Sequence, residues 1–147
     1  MLLMMTEMEG RELAAIPKKG DPREQWIQPR PNVLQNKFGL MYENGQTIKG
    51  VFAEFEVFVS PGLGSVKYVF SLKRYQVGRA YQLEINTRKS LRPTDHAYSH
   101  EHYGEVTYSA DTTWAHSNFQ DAVERFCNNT NLKLSEKLPN YQEFKLK

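Results

Sequence analysis

One cysteine, Cys127, stands in a chain of 147 residues, so no internal disulfide can form. Disulfide scaffolds and multi-cysteine zinc ribbons are excluded, and a reducing, cytoplasmic setting is expected. Long apolar runs are missing as well: nothing approaches the roughly 20 consecutive apolar residues of a membrane-spanning helix. The opening Met1-Leu2-Leu3-Met4-Met5 meets Glu7 and Glu9 at once, without the basic start and apolar stretch of a signal peptide. The nine glycines form neither a phosphate loop nor a dinucleotide fingerprint, and no nucleophile elbow is present. Nor does either sign of charge dominate: 19 basic against 17 acidic residues leave a net +2, which names no partner by itself.

What is present is aromatic. Eight Tyr, eight Phe and two Trp are too many for a disordered chain, and the length suits one ordinary domain. Four prolines between Pro17 and Pro31 mark a break in composition. They divide residues 1–31, a short N-terminal helix or arm followed by a Pro-rich linker anchored by Trp26 and Ile27, from a single domain over 32–147.

Within that domain the apolar period is two. Phe38, Leu40 and Tyr42 alternate with polar neighbours up to Asn44-Gly45, a strong hairpin signal. Val51, Ala53, Phe55, Val57 and Val59 share one side of the next strand, with Glu54 and Glu56 opposite, and Gly50 suits a bulge. Tyr68, Phe70 and Leu72, then Tyr81, Leu83 and Ile85, continue the apolar face, with Lys67, Ser71 and Lys73 on the other. A polar loop over 87–104 and a short strand near Glu105–Tyr108 follow. Ser117 and Gln120 have the spacing of a capping box, opening a helix to Thr130 with Phe119, Ala122, Val123, Phe126 and Cys127 as its buried stripe. The expected fold is α+β: an antiparallel meander of about five strands with one C-terminal helix packed on one face.

The charges are unevenly placed. Between Lys67 and Arg92 seven basic residues (Lys67, Lys73, Arg74, Arg79, Arg88, Lys89 and Arg92) face one acid, Glu84. Such a stripe suits phosphate or an acidic partner, or else simply solvates a sheet face or protects an edge. Tyrosines, Tyr103 among them, are interleaved with it; aromatics among cations stack on single-stranded bases, although tyrosine is also an ordinary strand residue. All four histidines fall between His96 and His116. If the chain is extended at His100-Glu101-His102, the two imidazoles share a side. His100 and His102, with His96, then suit proton transfer on RNA, where a base takes the 2′-hydroxyl proton, an acid protonates the leaving oxygen and a cation steadies the phosphorane. Arg88, Lys89 and Arg92 lie just upstream as that cation. No cofactor is expected. A divalent metal held with His96 or Asp95 is the lesser alternative, since no standard zinc spacing is present, and hydrogen-bonded structural histidines are the plain one. Cys127 reads as core rather than nucleophile.

The order of a basic strand ending Leu83-Glu84-Ile85-Asn86, a polar loop, the His-x-His of His100 and His102, a short strand and a Phe/Ala/Val helix resembles the TumE-like toxins of bacterial toxin–antitoxin modules over about residues 66–132. The chain departs from that pattern in having one loop proline, Pro93, one histidine, His96, ahead of the His-x-His, and an N-terminal extension. The resemblance implies a small bacterial or prophage toxin that acts on RNA and is neutralised by an antitoxin protein; with the loop histidines, the expectation is a toxin that binds RNA and is a candidate ribonuclease. The rival expectation is a non-enzymatic interaction protein, such as a phage-encoded inhibitor or adaptor, engaging its partner through the basic stripe. An open edge strand would also allow a homodimer.

Overall fold

The structure is a computed structural model that describes residues 4–88, 90–92, 94–95, 98–110 and 114–147. In chain order it forms α1 (Glu7–Ala15), β1 (Lys18–Gly20), β2 (Ile27–Arg30), β3 (Val33–Tyr42), β4 (Thr47–Ser60), β5 (Ser65–Arg74), β6 (Gly78–Asn86), β7 (His100–Tyr103), β8 (Val106–Ser109), α2 (Phe119–Thr130) and β9 (Leu132–Leu134). The strands make one sheet in the order β8-β7-β6-β5-β4-β3-β1-β9, with β2 paired to the far end of β3. All pairings are antiparallel except β1 with β9, which run parallel.

This overturns the expected meander of about five strands with one helix: the described chain is a mixed sheet of nine strands with two helices. The discrepancy has local causes. β1 and β9 are only three residues each, too short for any alternation to register. They pair because α2 returns the chain to the outer edge of β1, where Lys18 N–H donates to the Asn131 carbonyl. β2 contains Pro29, which lacks the N–H needed for a continuous ladder. The polar sequence His100-Glu101-His102-Tyr103 nevertheless pairs along its whole length with β6 and with β8.

Both helices pack on the apolar face of the sheet. Phe126 of α2 lies edge-on to Phe55 and Phe70, at 5.1 and 6.1 Å between ring centroids, and 5.9 Å from Tyr81. Leu13 and Ala14 of α1 are buried in the same core, and Arg11 stacks over Tyr103 at 3.9 Å. Gly10 is what lets α1 approach the sheet so closely: a Cβ there would stand 2.4 Å from the Ala80 carbonyl oxygen and 2.7 Å from the Gly104 nitrogen. Residues before Asn32 are therefore built into the core. Trp26 is buried, packs edge-on to Phe119 and Tyr141, and donates its indole N–H to the Pro139 carbonyl at 2.8 Å.

The two helix starts are capped by side chains. Thr6 and Glu9 form a reciprocal box on α1, and Asn118 and Asp121 on α2. The second box lies one residue beyond the Ser117/Gln120 pair expected from spacing. The backbone N–H of Ser117 is already committed to the Trp114 carbonyl, closing the short turn Trp114–His116, so the helix opens at the next residue.

The two helix ends meet on one lysine. The Lys18 ammonium donates to the Ala14 carbonyl at the end of α1, at 3.0 Å, and to the Thr130 carbonyl at the end of α2. A cation between two helix C-termini sits where both dipoles are negative. Lys18 is 1% exposed, and burial pulls its pKa down to about 8.

No described helix is long and apolar enough to cross a membrane.

Candidate functional site

The opposite face of the sheet carries no helix among the described residues. Alternation along β4 to β8, combined with their register, sets its side chains in cross-strand rows. One inner row is Glu54, Ser71, Gln82, His102 and Thr107; the other is Glu56, Val69, Glu84, His100 and Ser109. Outside these rows lie Phe58, Lys67 and Asn86 on one flank, and Phe52, Lys73 and Arg79 on the other. The face is thus carboxylate and imidazole along its middle, with an aromatic ring and cations at each border.

Each border is internally coupled. The Lys67 ammonium lies 4.7 Å from the centroid of Phe58 and the Arg30 guanidinium 5.4 Å from it. Lys37 lies 4.5 Å from the centroid of Phe52. Such cation–π contacts hold long basic side chains flat over a ring while leaving their charge near water. Beside Phe52 a cleft of about 760 Å³ opens between Lys37, Arg23, Ile27 and Tyr75.

The middle carries its charges in pairs. Lys73 meets Glu54 at 3.1 Å and Arg30 meets Glu56 at 3.5 Å. Burial, and then the neighbouring Glu54 carboxylate, push the Glu56 carboxyl pKa up. Arg79 donates to the Gly104 carbonyl and to the Gln82 amide oxygen, both at 3.2 Å; Gln82 in turn donates to the Ser71 hydroxyl at 2.8 Å. This chain of bonds fixes the guanidinium beside β7.

At the β6–β7 end, Glu84, His100 and His102 converge, one donor atom of each lying within 4.8 Å of the others. Nδ1 of His100 is 2.7 Å from the Tyr98 carbonyl oxygen. A carbonyl only accepts, so Nδ1 carries a proton and Nε2 is the atom that faces Glu84, at 3.2 Å. The two imidazole rings stand at 90°, with centroids 4.8 Å apart. His102 is 8% exposed, and its Nδ1 is 2.9 Å from the Thr107 hydroxyl. Burial first, then Arg79 and His100, pull its pKa down to about 4, so the ring is neutral near pH 7.

The residues singled out from sequence fall in different places. His100, His102, Lys67, Lys73 and Arg79 share the open face. Tyr103 lies on the opposite face, against Tyr81 and beneath Arg11. Arg74 is exposed at the end of β5. Arg88 and Arg92 are exposed in the loop after β6: Arg88 donates from Nε to Ser90, and the Arg92 backbone N–H donates to Asp95. His96, Lys89 and Pro93 lie outside the described residues. Cys127 is partly buried, and burial pushes its thiol up to about 12, which leaves no nucleophilic thiolate near neutral pH.

Several residues of this face carry no site role in the sequence alone. Glu84 stands there as the one acid of a basic segment and within its Leu83–Asn86 end, and its link to His100 needs the β6–β7 register, which depends on β7 being a strand. Phe52 and Phe58 were legible in principle, since Phe52, Glu54, Glu56 and Phe58 are spaced by two.

In comparison with known proteins, the chain matches no family model, no curated protein and no solved structure, so the site stands on its own geometry.

Proposed function

We propose that this chain binds single-stranded RNA across the open face of its sheet and cleaves it at the Glu84–His100–His102 cluster, acting as the toxin of a toxin–antitoxin or phage-defence module. The observation that carries this reading is the arrangement of the face: two aromatic–cation borders flanking a strip that ends in paired imidazoles. Bases would stack on Phe52 and Phe58 irrespective of sequence as Lys37, Lys67 and Arg30 leave the rings to meet, with Lys73, the phosphates between them. The cleft beside Phe52 has room for a base. At the cluster a phosphodiester would lie between the neutral His102, the His100–Glu84 pair and Arg79. A proton acceptor, a donor and a cation are the groups that 2′-hydroxyl attack requires. Arg79 takes the role that the loop cations Arg88, Lys89 and Arg92 were expected to fill. The toxin context rests on the resemblance to TumE-like proteins.

The test is incubation of the purified protein with mixed RNA, with and without a chelator, read on a gel. Cleavage should occur and should vanish in His100→Ala/His102→Ala while the circular dichroism spectrum is kept. A folded protein that leaves every RNA intact would overturn the nuclease reading. The rival, a non-enzymatic interaction protein, is favoured by the ion pairs that neutralise the middle of the face, Lys73 with Glu54 and Arg30 with Glu56. It predicts that partner binding tolerates both histidine changes and fails on charge reversal at Lys73, Arg74 or Arg79.

A further inference from the structure

We infer that Glu84, His100 and His102 form a three-ligand site for a borderline-soft divalent transition metal such as zinc. Because its Nδ1 proton is given to the Tyr98 carbonyl, a neutral His100 turns the Nε2 lone pair straight at a Glu84 carboxylate oxygen 3.2 Å away. Two acceptors facing each other at that distance need a positive species shared between them: a proton, or a metal ion.

The supporting contacts favour the metal. A ligating imidazole characteristically gives its other N–H to a carbonyl or another oxygen, which fixes the ring and raises the basicity of the ligating nitrogen. His100 does this with the Tyr98 carbonyl. His102 does it with Thr107 when Nδ1–H donates to the hydroxyl oxygen, leaving Nε2 with the lone pair. Both rings are therefore oriented from behind, His100 by Tyr98 two residues before β7 and His102 by Thr107 of β8, and they stand perpendicular to each other. Donors around a tetrahedral zinc lie roughly 3.3 Å apart, as Zn–N bonds of about 2.0–2.1 Å require. The His100–Glu84 edge already has that length.

The donor set also selects the ion. Two imidazoles and one carboxylate suit zinc, cobalt or nickel, whereas magnesium and calcium take oxygen ligands. Arg79, bound to Gly104 and Gln82 close by, works against a hard ion held by charge alone. Three protein ligands leave a fourth position for water, the arrangement of catalytic rather than structural zinc sites. Glu84 and His100 keep 24% and 17% of their side-chain surface exposed, so the open position faces solvent.

The inference rests on the same residues as the RNA-cleavage reading but not on its evidence: a bound metal would occupy both imidazole lone pairs, so a metal-held water would stand in for His102 as proton acceptor, and the site is tested without RNA. Metal-stripped protein is titrated with Co²⁺, followed by visible absorption, and with Zn²⁺, followed by calorimetry. One equivalent should saturate the site, with ligand-field bands in the cobalt form. Thr107→Val removes only the support behind His102 and should weaken binding roughly 10–100-fold. Glu84→Gln and His100→Gln should weaken it more, and His116→Gln not at all. His102 is the buried member; if His102→Gln does not fold, the partly exposed Glu84 and His100 variants decide. Absence of saturable binding, or one-equivalent binding that survives both Glu84→Gln and His100→Gln, would overturn the site. Metal bound as described by a protein that cuts no RNA would uphold the site and remove only the nuclease reading.

Discussion

Replacing Lys18 by methionine separates two opposing contributions that nearly cancel at neutral pH. The side chain is buried, its nitrogen serves the terminal carbonyls of both helices, and burial holds its pKa at about 8. An unfolded lysine titrates near 10.5. Below pH 8 the folded protein keeps a buried charge, at a cost of about 3 kcal/mol relative to the neutral amine, since each pKa unit is worth about 1.4 kcal/mol. A neutral amine still has two N–H donors, enough for both carbonyls, so the hydrogen bonds outlast deprotonation. Methionine removes the charge cost but orphans two buried carbonyls, at about 1–3 kcal/mol each. Near pH 7 these effects offset, and Lys18→Met should change stability by no more than about 2–3 kcal/mol in either direction.

Raising the pH breaks the balance. Between about 8 and 10.5 the unfolded lysine holds more protons than the folded one, so the native state gains stability with pH from this group. Lys18→Met lacks that gain. The stability difference between wild type and variant should therefore grow by about 3 kcal/mol in favour of wild type between pH 7 and pH 10.5. Urea unfolding of both proteins across that range reads it directly, because every other titrating group is common to the pair. Parallel stability–pH curves would refute the argument.

Other expectations concern packing and reactivity. Gly10→Ala should destabilise by about 2–3 kcal/mol in thermal or urea unfolding: the clash with backbone atoms of Ala80 and Gly104 outweighs the roughly 1 kcal/mol that alanine gains in a helix. Met8→Ala on the exposed side of the same helix should be near neutral; equal stability of the two variants would contradict the close approach. The Cys127 thiol should resist iodoacetamide at pH 8 in the native protein and react promptly in urea, and alkylation at the rate of a free cysteine in the folded state would show that it is not shielded.

The long strands announced themselves. Tyr68, Phe70 and Leu72 and then Tyr81, Leu83 and Ile85 alternate cleanly, because one face of each strand is core and the other is polar. The short edge elements did not. Lys18-Lys19-Gly20 and Leu132-Lys133-Leu134 pair with each other, and nothing in three residues foretells a partner more than a hundred positions away. Lys18 itself reads as a linker charge, since its burial follows from two helices ending at the same point. For the site, the sharing of one face by His100 and His102 was legible from their spacing. The convergence of Glu84 was not, because it belongs to the register between β6 and β7. The loop cations illustrate the reverse error: proximity in sequence drew Arg88 and Arg92 toward the histidines, while the sheet supplies Arg79 from the far end of β6.

The most direct test of RNA binding by the open face is fluorescence anisotropy with a labelled single strand whose 2′-O-methyl groups prevent cleavage by 2′-hydroxyl attack. Stacking is worth about 1–3 kcal/mol per base, so Phe52→Ala and Phe58→Ala should each weaken binding by roughly 5- to 150-fold. Met8→Ala, on the helix-covered side, should leave affinity unchanged. Binding that is indifferent to both phenylalanines, or absent from the folded wild type, would contradict the assignment of this face to RNA.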